Sequence, residues 1–140
     1  MNLQLDLEMF VQAAGDGMVA AGADGRIILW NPAAERIFGF TAEEALGRSL
    51  DLIIPERFRD RHWAGFREVI RTGQTRYASE VLRVPALHKN GTPLSIAFTV
   101  ALIGSARGYA IAAIVRDETK RWNEERELRR RVAELEQQSK

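Results

Sequence analysis

A chain of 140 residues has room for one domain with a real core, and its 46% hydrophobic and 28% charged content is ordinary for a globular protein. Its 20 lysines and arginines nearly balance 19 acidic residues, and a net charge of +1 lacks the electrostatic signature of a nucleic-acid binder. The absence of cysteine excludes disulfides, thiolate metal sites, cysteine nucleophiles and flavin–cysteinyl photochemistry, and suits a reducing cytoplasm. The longest apolar runs, such as Tyr109 to Val115, fall far short of the roughly 20 residues of a membrane span. No basic stretch followed by an apolar core marks a signal peptide. The expected setting is the cytoplasm.

Leu3, Leu7, Phe10 and Ala14 recur at helical spacing, which predicts a short amphipathic helix over residues 2–14. Met18 to Ala21, Asp24-Gly25 and Arg26 to Trp30 read as strand, turn and strand. Asn31-Pro32 stops the second strand and opens a short helix over residues 33–38, with Asn31 as its cap. Thr41 and Glu44 form a capping box for another helix, closed by Gly47. Pro55 to Arg71 predicts the longest central helix, with Phe58, His62, Phe66, Val69 and Ile70 along one stripe. Strands are expected over residues 76–87 and 93–103, on either side of Asn90-Gly91, a strong hairpin signal. A further apolar strand spans Tyr109 to Val115. Thr119 to Lys140 then reads as a charged helix in which Trp122, Leu128, Val132 and Leu135 give a partial coiled-coil seam. A helix of that length is marginal alone, so a second copy is expected beside it, or a longer rod beyond it.

Two β runs separated by a helical block imply an α+β domain, an antiparallel sheet with helices on one face and a cavity beneath the long helix. No P-loop, serine-centred elbow or metal-protease helix occurs, and the expectation is a protein that is not an enzyme. Glu43 and Glu44 are adjacent on a helix and point apart, which suits capping better than acid–base chemistry. The arginines from Arg126 to Arg131 interleave with glutamates as a coiled-coil flank does. His88, at the hairpin beside Lys89, reads as a solvated residue. Trp30, Trp63 and Trp122 read as core or dimer-seam residues.

The stretch from Asp16 to Thr119 resembles a PAS domain. The resemblance is carried by Asp24-Gly25 with Ile27 to Glu35, by Phe38 to Gly47, by Lys89 to Thr92, and by Arg116-Asp117-Glu118-Thr119 at the exit from the last strand. It implies a five-stranded antiparallel sheet and a division into a flanking helix (1–15), a PAS sensor (16–119) and a signalling helix (120–140). It also implies a bacterial-type signal-transduction role, as in two-component systems, a homodimer formed through the flanking helices, and an output domain outside this sequence.

A narrower resemblance lies in Ile54 to His62, with Arg71-Thr72-Gly73 closing the helix. It is similar to haem-binding PAS domains of the FixL oxygen-sensor type, which implies haem b with His62 as the iron ligand. Phe58 and Phe66 would flank it, and Leu82, Val84, Ile96, Phe98 and Val100 would stand opposite. Where those sensors carry a ligand-contacting arginine, this chain has Leu82. An apolar wall offers bound oxygen no hydrogen bond, so carbon monoxide, nitric oxide or a redox change stand beside oxygen as implied signals. A cofactor-free relay module, and a pocket for another organic ligand such as a flavin or fatty acid, are the alternatives.

Overall fold

The computed structural model describes residues 4–75, 80–105 and 108–139. Five strands form one antiparallel sheet in the order β2-β1-β5-β4-β3: β1 (Gly17–Gly22), β2 (Ile27–Trp30), β3 (Leu82–Leu87), β4 (Pro93–Ser105) and β5 (Gly108–Asp117). The helices are α1 (Leu7–Ala13), α2 (Pro32–Phe38), α3 (Ala42–Ala45), α4 (Arg59–Thr72) and α5 (Thr119–Gln138). This is the α+β architecture expected.

Local signals set many of these boundaries. Asn31 is buried and all its amide hydrogen-bonding positions are used. Its Oδ1 accepts from the N–H groups of Met18 and Ala34, and its Nδ2 donates to the carbonyls of Val11 and Asp16. One side chain therefore caps α2 and ties α1 and β1 to it. Thr41 and Glu44 complete the capping box of α3. Gly39, at φ 83°, ends α2 in the left-handed region, which leaves room only for a glycine beside the His88 ring.

The structure departs from the sequence expectations in four places. The first helix, expected over residues 2–14, spans Leu7–Ala13, with Asp6 as its cap. The helix predicted over residues 55–71 is divided into a 3-10 turn (Glu56–Phe58) and α4. Ile54, extended before Pro55, cannot start a helix, and only a short turn fits between them and Arg59. The strand predicted from residue 76 begins at Leu82, with residues 76–79 outside the described residues. His88 is half-buried rather than solvated: its ring lies against Gly39, and its Nδ1 accepts from the Asn90 N–H.

Sheet register sets what faces the helices. Leu82, Phe98, Val115 and Gly17 form one cross-strand row, Val100, Ala113 and Val19 the next, and Leu102, Ile111 and Ala21 a third. The packed core lies at the α2–α3 end of this face. There Trp30, Phe38, Ile27, Ala34, Ala86, Leu94 and Ile96 are buried together, and the Trp30 and Phe38 rings sit 5.3 Å apart. The free side of β2 is covered by the segment after α3, through Ile27 N–H to Arg48 carbonyl and Gly47 N–H to Ile27 carbonyl. β3 is the opposite edge strand and carries Pro85.

Candidate functional site

α4 is held to the body of the domain at both ends. At its start, the Trp63 ring lies on Gly25, in the β1–β2 turn, so closely that a Cβ there would stand 2.4 Å from the indole. Gly25 has φ 79°, so both the backbone and the space demand glycine. At its end, Tyr109 from β5 lies against Gly73, with its hydroxyl 2.8 Å from where a Cβ would be. Between these two supports the inner face of the sheet stays only half-buried at Val100, Leu102 and Ile111, as do Val69 and Ile70 of the helix. Apolar residues in the middle of a sheet, beneath a helix, normally pack out of reach of solvent. Here they leave apolar surface to be covered.

His62 sits in the first half of α4. Its ring meets Trp63 edge-on at 4.7 Å and Phe66 at 5.9 Å. Phe66 is buried and Phe58 half-buried. The Nδ1 of His62 is buried with no hydrogen-bond partner. Buried polar atoms almost always have a partner, so an orphaned imidazole nitrogen in an apolar setting marks a functional-site candidate. Burial pushes the imidazole below its usual 6.5, opposed in part by the negative charge of Asp51, and so favours the neutral ring that can ligate a metal.

The other residues singled out in the sequence fall in two groups. Leu82, Phe98 and Val100 are half-buried on the inner face and wholly apolar, and Leu82 pairs directly with Phe98. Ile96 belongs to the packed core, and Val84 is 39% exposed on the edge strand. Val84 and Ile96 instead border a cavity of about 350 Å³ beneath the start of α5, together with Arg83, Trp122 and Glu118. Haem fits the first group: a neutral imidazole with an unpartnered nitrogen, flanking phenylalanines and an apolar wall suit an iron porphyrin. No group of three or more His, Cys, Asp or Glu side chains with metal-holding geometry occurs among the described residues, so a metal bound by protein side chains alone has no comparable site there.

Sequence reasoning overlooked the support of α4. Asp51 lies within a 3-10 turn, Leu50–Ile53, and its Oδ1 accepts from the Trp63 indole N–H at 2.7 Å. Arg59 donates from Nε to the Ile54 carbonyl and from its guanidinium to the Asp51 carbonyl. No spacing rule links residue 51 to residue 63, because the contact exists only once the chain has folded.

Residues 5–117 match the family model described as the PAS fold. The chain belongs to the PAS family. Among relatives of this PAS domain, an uncharacterised protein of Azorhizobium caulinodans is 34% identical over 116 residues, which is 82% of this chain and 16% of that protein. The oxygen sensor protein DosP of Escherichia coli is 26% identical over 101 residues, 72% of this chain and 13% of DosP. The sensor protein FixL of Bradyrhizobium diazoefficiens is 36% identical over 56 residues, 40% of this chain and 11% of FixL. The chain therefore spans only a small part of the length of these curated relatives. Among solved structures, a PAS domain from Colwellia psychrerythraea superposes with a TM-score of 0.70 at 20% identity, covering 81% of this chain and 95% of that one. This is a sensory PAS domain. No helix among its described residues is long and apolar enough to cross a membrane.

Proposed function

We propose that this PAS domain binds haem b through His62 and passes a diatomic-gas or redox signal to α5. The observation that carries the reading is the buried, unpartnered Nδ1 of His62 within an apolar stripe, above strands left half-buried. The similarity to proteins named as oxygen sensors supports it. When bound, haem would supply gas-binding and redox chemistry at its iron. The chain's own part is to hold the group through His62, to exclude water with Phe58, Phe66, Leu82, Phe98 and Val100, and to move with its occupancy. With Leu82, Phe98 and Val100 all apolar, this wall gives bound oxygen no hydrogen-bond donor. Carbon monoxide, nitric oxide or a change of iron oxidation state therefore rank with oxygen as the signal. The protein acts as a sensor and relay, not as an enzyme.

The exit runs through a short hydrogen-bonded junction. Glu118 N–H donates to the Ser95 carbonyl, Ser95 N–H donates to the Thr119 hydroxyl, and Glu118 pairs with Arg83 at 3.3 Å. Beyond it Leu128, Val132 and Leu135 are 53–64% exposed along one seam of α5, and Leu5, Leu7, Met9 and Phe10 are exposed at the other end of the chain. Such surfaces are buried when two copies pair, so the working form is a homodimer joined by its flanking helices.

Titration of the purified protein with haemin tests the cofactor. A Soret band that is lost or shifted in His62→Ala is the expected result, and a wild type that leaves the haemin spectrum unchanged would overturn it. Sedimentation tests the dimer: Leu128→Asp with Leu135→Asp should leave a monomer.

A further inference from the structure

We propose that Asp51 and Trp63 are positioning residues for His62, a clamp that fixes the first half of α4 so that the imidazole meets its ligand in one orientation. The assignment rests on the haem reading above. Trp63 is fastened in two directions: its ring rests on Gly25, and its indole N–H donates to Asp51 Oδ1 at 2.7 Å. It is also the covalent neighbour of His62 and meets that ring edge-on at 4.7 Å, so a shift of the helical backbone that carries Trp63 also moves His62.

The platform to which Trp63 is fastened is itself tied together by hydrogen bonds. Leu50 N–H donates to the Gly25 carbonyl, Ile27 N–H to the Arg48 carbonyl, and Asp51 N–H to the Ser49 hydroxyl. Arg59, one turn before Trp63, reaches the same platform through the Ile54 and Asp51 carbonyls, and its Nε lies 3.9 Å from Asp51 Oδ1. The clamp thus consists of two side chains of one helical face, Arg59 and Trp63, gripping the Leu50–Ile53 turn and the β1–β2 turn together. His62 has no hydrogen bond of its own at Nδ1 to set its angle, so its orientation must come from the helix that carries it. In metal sites the groups that orient a ligand are worth about 10-fold to 100-fold in affinity. Asp51 adds a charge: its carboxylate acts on His62 through space.

The test compares Trp63→Phe, Asp51→Ala and Asp51→Asn with the wild type. Trp63→Phe loses both the indole donor and the outer part of the ring that rests on Gly25. Asp51→Ala removes the acceptor, whereas Asp51→Asn restores an acceptor without the charge. Trp63→Phe and Asp51→Ala should bind haemin about 10-fold more weakly. Before haemin is added, both should show faster amide exchange over residues 61–66 than the wild type. Asp51→Asn should recover the affinity and the slow exchange, while its iron midpoint potential moves positive because a nearby negative charge no longer favours the ferric state. Wild-type affinity and exchange in Trp63→Phe and Asp51→Ala would overturn the clamp and leave the haem reading standing. An unchanged potential in Asp51→Asn would overturn the part assigned to the charge. A wild type that gives no Soret band would overturn the haem reading and this assignment with it.

Discussion

The two halves of the sheet's inner face are made of the same kinds of residue and are filled to different degrees. Beneath α2 and α3, Phe38, Ala34 and Ile27 are sealed, Trp30 donates its indole N–H to the Phe40 carbonyl, and Asn31 satisfies four hydrogen bonds out of water. Beneath α4, Val100, Leu102 and Ile111 stay half-buried, and the one imidazole has a nitrogen with no partner. A protein that needed only stability would close both. The difference separates a part that carries the fold from a part that keeps room for something else.

Truncation should break this symmetry most visibly. Phe38→Ala is expected to cost about 3–5 kcal/mol in urea denaturation, the range for a large buried aromatic. Val100→Ala should cost about 1 kcal/mol or less, since the surface it covers is already part-solvated. Equal losses would mean that the α4 side is as tightly packed as the other. Asn31→Ala comes next, at about 2–4 kcal/mol, because the N–H groups of Met18 and Ala34 and the carbonyls of Val11 and Asp16 all lose a buried partner.

Enlargement gives the converse. Ala34→Leu, at a sealed position, should destabilise by about 1–3 kcal/mol. Val100→Trp, on the half-buried side, should change stability little and yet abolish haemin uptake, as measured by the Soret titration. Retained uptake with a full occupant at residue 100 would place the ligand elsewhere.

Acid separates the halves by a smaller margin. His62 has a folded-state pKa below its usual 6.5, so the unfolded chain takes up the proton first. Above that value the group contributes no pH slope. As the pH falls from about 6.5 towards the folded-state pKa, ligand-free protein loses stability, and His62→Gln should flatten that part of the curve. The smallest effect belongs to Lys89→Met. Lys89 holds Glu44 at about 2, well below the usual carboxylate range, but both groups lie in solvent, so the melting temperature at neutral pH should scarcely move.

Much of the supporting half was legible in the sequence because its signals are local. Asp24-Gly25 and Asn90-Gly91 placed the hairpin turns, Asn31-Pro32 placed a helix start, and Thr41 with Glu44 placed another; each acts over two to four residues. His62, Phe58 and Phe66 were legible as a stripe for the same reason. What escaped was set by distant parts of the chain. Trp63 on Gly25, Asp51 beneath Trp63, His88 against Gly39 and Arg83 beside Glu118 join residues whose separation carries no period. The strand pattern also could not show that Ile96 would be sealed in the core while Val100, four residues on, would not. That depends on which helix lies above each residue.

Pro85 bears on how this domain meets its neighbours. It sits within β3, whose other side already pairs with β4, so the missing N–H falls on the open border of the sheet. An incoming strand would find a gap in the donors it must align with, while the border at β2 is already taken up by the segment around Arg48. Fibril-like stacking of one sheet onto the next is discouraged at both margins. Association is left to side-chain surfaces, which can slide, rotate and separate on demand, as backbone ladders cannot.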